Sequence, residues 1–276
     1  MKNYIKKPFS LAALLLIILS AIVTAAVIVF ITGYILINGI PNIRLSLFAW
    51  EYNAKNVSMM PAIINTVYIA LLTLVIAVPV GVFSAVYLAE YAKRGSNLVK
   101  IIRITADTLS GIPSIVYGLF GFLAFVVALK WEYSLLSGAL TLAIMVLPSI
   151  MRTTEEALLA VPDSYREGSF GLGAGKIRTI FKISIPASMP GILSGVILAI
   201  GRITGETAAL IFTAGTVAAV PGSVFNSART LAVHMYCLLS EGLYTDEAYA
   251  TAVVLLVTVA AINALSDFAA HKIAKM

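Results

Sequence analysis

The sequence predicts an all-α membrane protein with six transmembrane helices, both termini cytoplasmic, and short coupling helices between the fourth and fifth spans. Three observations lead there. Of the 276 residues, 60% are apolar and 12% charged, against roughly 45–50% and about 25% in a soluble domain. Charge is absent for 36 positions between Lys7 and Arg44 and for 34 between Lys55 and Glu90, whereas a bilayer span needs about 20 apolar residues. Five further charge-free stretches, 108–129, 133–151, 183–201, 207–228 and 248–266, are also of span length. A water-soluble globular protein is excluded.

The first helix is expected near 9–37. Lys2, Lys6 and Lys7 before an apolar run would also suit a signal peptide, with Thr24-Ala25-Ala26 as its small-residue site. The run continues past Gly33 and Ile37, beyond a signal core of about 7–15 residues, so a retained helix is the expectation. The second helix is expected near 62–89 and the third near 105–128, with Asp107 as its N-cap rather than a ligand. The fourth is expected near 134–151. Only Arg202 to Glu206 separate the stretches 183–201 and 207–228. Because Pro186 and Pro190 suit a helix start better than its middle, one fifth helix is expected near 187–213, running through the charged pair. Residues 214–247 then form a connection with a turn at Pro221-Gly222 and a short interfacial helix over Arg229–Ser240. A sixth helix near 248–270 completes the set.

Orientation follows from Lys and Arg. With the N-terminus inside, one side collects fourteen: Lys2, Lys6, Lys7, Lys93, Arg94, Lys100, Arg103, Arg152, Arg166, Lys176, Arg178, Lys182, Lys272 and Lys275. The other side holds four, Arg44, Lys55, Lys130 and Arg229, and Arg202 lies within a span. Cytoplasmic loops carry the excess, which puts both termini in the cytoplasm. The net charge of +6 comes from these loops beside anionic lipid and implies no nucleic acid. The single Cys237 cannot form an intramolecular disulfide and reads as a small buried apolar residue. His234 and His271 have no metal-ligand spacing, so no metal site is expected.

Residues 152–186 form the longest cytoplasmic segment and hold 9 of the 32 formal charges. Ser164 and Glu167 have capping-box spacing, which predicts a short helix. Gly171, Gly173 and Gly175 then permit a sharp break before a second short helix over Lys176–Ser184. Phe170, Leu172, Ile177, Ile180 and Phe181 are its apolar knobs. The glycines do not hold a nucleotide. A phosphate-cradling loop ending at Gly175-Lys176 would need Gly at 170 and Ser or Thr at 177, where Phe170 and Ile177 stand. A dinucleotide fingerprint from Gly171 would need Gly in place of Lys176.

The run EGSFGLGAGKIRTIFKISIP, residues 167–186, resembles the coupling signature of ABC importer permeases, which reads E-A-A, three residues, G, nine residues, I-x-L-P. Glu167, Gly173 and Ile183 to Pro186 match in spacing; Gly168, Ser169 and Ile185 depart from it. GIPSIVYGLFG (111–121) and GRITGETAALIFTAG (201–215) are similar to permeases of the phosphate-specific uptake system, the latter more to the A-type subunit than to its C-type partner. The resemblance spans helices two to six. It divides the chain into a generic first helix and external loop, 1–60, and a permease domain, 61–276.

The resemblance implies one half of an importer of inorganic phosphate in the plasma membrane (cell inner membrane). It implies a second, C-type permease subunit, two copies of a cytoplasmic ATPase and an extracytoplasmic phosphate-binding protein as partners, besides membrane lipid. ATP and Mg would be bound by the ATPase, with no cofactor and no catalysis on this chain. Residues 164–182, with Glu167, Phe170, Leu172, Gly173 and Ala174, would dock into the ATPase.

Two charges fall inside the membrane. Counted from Ala187, Arg202 lies 15 residues or about 22 Å along a helix axis, within a hydrocarbon core about 30 Å thick. An isolated arginine there costs at least ~2.5–3.5 kcal/mol. Glu206, at i+4, shares its face. The pair reads either as a structural ion pair or as part of the path. In the second reading Arg202 offers its guanidinium to an oxyanion, Thr207 lies beside it, and Glu206 limits its grip or accepts a hydrogen bond from protonated phosphate. The resembling family also carries an arginine and a glutamate in this stretch. Arg152 reads as a positive-inside anchor or, as the resemblance implies, as an anion contact at the cytoplasmic exit. Gly191 and Gly195, and Gly201 and Gly205, have the small-xxx-small spacing of close helix packing, here or against the partner. The alternatives are an ABC permease for sulfate, molybdate or phosphonate, or a secondary transporter. An intramembrane enzyme would need a nucleophile and base or metal ligands at helical spacing, and the spans carry none.

Overall fold

The computed structural model describes residues 8–93 and 95–274, and every regular element among them is helical. Lys2, Lys6, Lys7, Arg94 and Lys275 of the charge bias lie outside the described residues. Five helices are long and apolar enough to cross a membrane: Leu11–Asn42, Met60–Tyr91, Leu135–Leu159, Lys176–Thr204 and Thr245–Ala270. A bent pair of helices makes a sixth if counted as one span.

Helix α1 (Pro8–Gly39) is exposed along most of its length and meets the last helix at its end, where Gly39 lies against Tyr249 and Val253. Helix α2 (Met60–Val86) continues through a wide π turn over Tyr87–Tyr91. Next come α3 (Asn97–Ser110) and α4 (Ser114–Gly121), the latter extended by a π turn over Phe122–Ala128. These two replace the single helix expected over 105–128, and they meet at 102°. The bend falls at Gly111-Ile112-Pro113, where proline has no N–H to give and disfavours helical backbone in the residue before it. Lys100, Arg103 and Asp107 give α3 a polar stripe, so charge-free stretches could not detect it. Its Val99 and Ala106 are buried with Ala85, Leu88 and Met151. Asp107 therefore sits in the last turns of α3 and caps no helix start.

Helix α5 (Leu135–Leu159) runs past the expected end at 151. It leads to a bracket made of α6 (Asp163–Gly171) and α7 (Lys176–Thr179). Helix α7 passes through a π turn over Ile180–Ser184 directly into α8 (Ile185–Thr204). The expected stop before Pro186 is thus absent. A proline ring collides with the carbonyl four residues earlier, and a turn widened to i→i+5 relieves that. Helix α8 ends at Thr204 instead of running to 213, and a separate turn, α9 (Ala208–Ile211), follows. Helix α10 (Leu231–Glu241) falls where a short helix was expected over Arg229–Ser240, and α11 (Thr245–Ala274) follows it.

The core lies among α2, α5 and α8, where Ile69, Ala77, Leu142, Met145, Ile150, Ala199 and Ile203 are buried together with Leu210 and Ala214. Small residues set the spacing. A Cβ on Gly191 would come within 2.5 Å of Ala157, and one on Gly195 within 2.9 Å of Thr153. This packing is against α5 of the same chain. A Cβ on Gly201 or Gly205 would meet nothing closer than 3.7 Å, so within this chain only the first pair packs closely.

At the end of the bundle away from the bracket, residues 213–230 lie across the start of α5. The carbonyls of Thr213, Asn226 and Val224 accept the N–H groups of Ser134, Leu135 and Leu136 at 2.9–3.0 Å. Those are amides a helix start leaves without partners. Buried Arg229 holds the segment down: its Nε donates to the Thr216 carbonyl at 2.8 Å, its Nη1 lies 3.2 Å from His234 Nδ1, and its guanidinium stands over the Tyr52 ring.

Candidate functional site

The break between α8 and α9 is the centre of the candidate path. The antiparallel contact of Gly195 with Thr153, carried seven residues further along both helices, places Arg202 level with Val146, close to the middle of α5 (Leu135–Leu159). A helix that stops there leaves carbonyls without helical partners. Arg202 stands in that last turn of α8, where the negative end of the helix dipole favours a cation.

Arg202 is half-buried and, among the described residues, makes no ion pair. The expected pair with Glu206 does not form. The helix ends between them, so the two residues no longer share a face, and Glu206 Oε1 accepts the N–H of Ala209 at 3.1 Å. Thr207, half-buried, occupies the N-cap position of α9 but makes no side-chain capping bond. Each charge thus serves the helix end next to it, and the arginine is left available.

Across from the break lies the bend between α3 and α4. Tyr117, which the sequence reading did not single out, donates its hydroxyl to the Leu109 carbonyl at 2.8 Å and so closes the bend. Glycines bring these elements together: a Cβ on Gly118 would sit 2.8 Å from Ala209 Cα, and one on Gly121 would collide with Thr141 Oγ1. Their spacing within GIPSIVYGLFG was visible; what they pack against was not.

Arg152 was read as an anchor or an anion contact. It is exposed on α5 and pairs with Asp107 of α3 and with Glu156 at 3.0 Å. Beside it Arg103 binds Glu155 at 2.6 Å, and the groups line a cleft of about 230 Å³. The arrangement ties α3 to α5 by charge; an anion reaching Arg152 would have to compete with Asp107.

The bracket shows its apolar knobs outward. Leu172 is 92% exposed, and Phe170, Ile177 and Phe181 are also exposed. Ile180, expected among them, is buried against Val86 and Leu158. The expected capping box does not form, since α6 starts at Asp163 with Pro162 as its N-cap and no side-chain cap. Gly173 makes the turn with φ +82°, in the left-handed region that favours glycine. Ala174 N–H returns to the Ser169 carbonyl at 3.1 Å, and the Ser169 and Thr179 hydroxyls bond at 2.8 Å, closing the bracket. Glu167 is exposed on α6. Among the described residues no group of His, Cys, Asp and Glu could hold a metal ion.

Residues 77–275 match the family described as "Binding-protein-dependent transport system inner membrane component". The chain is 35% identical over 243 residues to the "Probable ABC transporter permease protein YqgI" of Bacillus subtilis (strain 168), covering 83% of this chain and 82% of that one. It is 36% identical over 205 residues to the "Phosphate transport system permease protein PstA 1" of Mycobacterium tuberculosis (strain CDC 1551 / Oshkosh), covering 73% and 67%. A solved bacterial alginate ABC transporter, in complex with its alginate-bound periplasmic protein, shares the fold with a TM-score of 0.71 at 16% identity, covering 99% of this chain and 98% of that one.

Proposed function

We propose that this chain, which belongs to the family of binding-protein-dependent transport system inner membrane components, forms one half of the path by which an ATP-driven importer carries inorganic phosphate into the cell. That it is an ABC transporter permease subunit follows from the family; phosphate is the finer reading. The observation that carries it is the half-buried Arg202 at a helix break level with the middle of α5, without an ion pair among the described residues. Irregular backbone at membrane depth is tolerated where protein buries it or where it lines a watery cavity. A guanidinium there suits the planar oxygens of an oxyanion. Relatives named as phosphate transport permeases support the same choice.

In this reading Arg202 and Thr207 contact the passing anion. The second carboxylate oxygen of Glu206 accepts a hydrogen bond from protonated phosphate, which fully ionised sulfate cannot offer. Arg152 meets the anion at the inner exit. The six spans are α1, α2, the bent pair α3 and α4, α5, α8 and α11, with both termini and the bracket cytoplasmic, in the plasma membrane. Residues 61–276 form the permease domain, and 1–60 contribute the first helix and external loop. The partners are a C-type permease subunit, two copies of an ATPase that binds ATP and Mg, and an extracytoplasmic phosphate-binding protein; no catalysis takes place on this chain. Glu167, Phe170, Leu172, Gly173 and Ala174 form the face that the ATPase holds. Closure of the ATPases on ATP moves the bracket, and the helices rock to open the path on the other side.

Reconstitution of the chain with its co-purifying subunits, followed by ATP-dependent uptake of phosphate, sulfate, molybdate and phosphonate, tests the reading. Uptake of phosphate above the others is the expected result. Preference for another of the four would reassign the substrate.

A further inference from the structure

Arg166 lies on α6 one turn before Phe170, and all three of its guanidinium nitrogens are engaged. Nε donates to Glu90 at 3.0 Å and Nη2 lies 2.9 Å from the same carboxylate oxygen. Nη2 also donates to the Leu158 carbonyl at 2.8 Å, and Nη1 to the Val161 carbonyl at 2.9 Å and to Asp163 at 3.2 Å. The side chains of Arg166 and Glu90 are only 14% and 8% exposed. One residue thus joins three elements: the π turn that ends α2, the last carbonyls of α5, and the first helix of the bracket. A second link runs parallel to it, with Lys176 Nζ 4.5 Å from the Tyr91 ring centroid.

We propose that Arg166 is a positioning residue that gears the bracket to the end of α2, so that displacement of the bracket is delivered to α2 as well as along α8. The physical argument is stiffness. A buried ion pair with its remaining donors on carbonyls resists separation far more than an exposed one, because parting it leaves charge unpaired away from water. The covalent route from the bracket runs into α5 on one side and α8 on the other; α2, which packs on both, has no covalent link to the bracket. Glu90 supplies a non-covalent link instead, through its ion pair with Arg166. The π turn over Tyr87–Tyr91 is where α2 departs from regular helix to present it.

This inference rests on the reading of the bracket as the ATPase contact. In proteoliposomes holding the full chain and its co-purifying subunits, phosphate uptake per ATP hydrolysed is measured for Arg166→Gln, Glu90→Gln and the double variant. Expected is at least a tenfold fall in the ratio for each single variant with ATPase retained in the complex, and no further fall in the double variant, since both remove one link. Glu90→Gln, which keeps shape and an acceptor, decides the matter if Arg166→Gln does not assemble. Ratios within twofold of the unaltered complex would overturn the gearing role alone. An unaltered complex that retains no ATPase would overturn the functional reading, and the gearing role with it.

Discussion

The carboxylate of Glu206 accepts the backbone N–H of Ala209 at 3.1 Å, while Arg202, four residues earlier, makes no ion pair with it. The acid is spent on starting α9 and the base stands at the end of α8. The separation predicts different outcomes for two changes at one position. Glu206→Ala removes the cap and should cost about 0.5–2 kcal/mol of stability. Glu206→Gln keeps an acceptor for Ala209, so the thermal midpoint should hold while discrimination of phosphate from sulfate falls. Thermal unfolding in detergent and competition uptake read the two effects separately.

Close packing at α4 makes a steric prediction. A Cβ at Gly121 meets Thr141 Oγ1, and one at Gly118 meets the backbone of Ala209. Gly121→Ala and Gly118→Ala should each destabilise the fold by about 1–3 kcal/mol, the usual range for overpacking. Gly168→Ala, inside α6 with nothing within 4 Å, is the control and should leave the thermal midpoint unchanged or slightly raised, since Ala favours helix over Gly.

The left-handed backbone of Gly173 sets the turn of the bracket. Gly173→Val places a β-branched residue where an L side chain costs about 1–2 kcal/mol. Retention of the ATPase during purification should be lost, while Gly175→Ala, at φ −73°, should retain it. Equal retention by both would remove Gly173 from the contact.

Buried His234 predicts a pH effect at the end of the bundle away from the bracket. Burial, with the adjacent Arg229 cation acting in the same direction, lowers its pKa from 6.5 to about 4. The unfolded chain therefore binds a proton between those values when the folded chain does not. Stability from this group is fully present above pH 6.5 and falls as pH drops toward 4, by about 3 kcal/mol over the interval. In His234→Gln the slope of thermal midpoint against pH in that window should flatten.

Much of this was legible in the sequence because a bilayer imposes a coarse rule, a run of apolar residues for each crossing. That rule located α1, α2, α5 and α11, and the spacing from Glu167 to Pro186 located the bracket. It failed where a helix carries charge on one side. Helix α3 was invisible because Lys100, Arg103 and Asp107 interrupt the apolar count, and α5 was cut short at Arg152 for the same reason. Proline was read as a boundary at Pro186, yet the π turn absorbs it, whereas Pro113, inside an apolar run, does end a helix. Spacing brought Arg202 and Glu206 together on an ideal helix; Gly205, between them, is where that helix stops. Glu90 and Arg166, 76 positions apart, had no local pattern to reveal their pairing.

The most direct test of the account is ATP-driven phosphate uptake by the reconstituted complex carrying Arg202→Gln. A charge-assisted hydrogen bond to the passing anion contributes about 1.5–3 kcal/mol, so uptake should fall roughly tenfold to a hundredfold with subunit assembly and thermal midpoint preserved. Uptake within twofold of the unaltered protein, with assembly intact, would contradict the placement of Arg202 in the path.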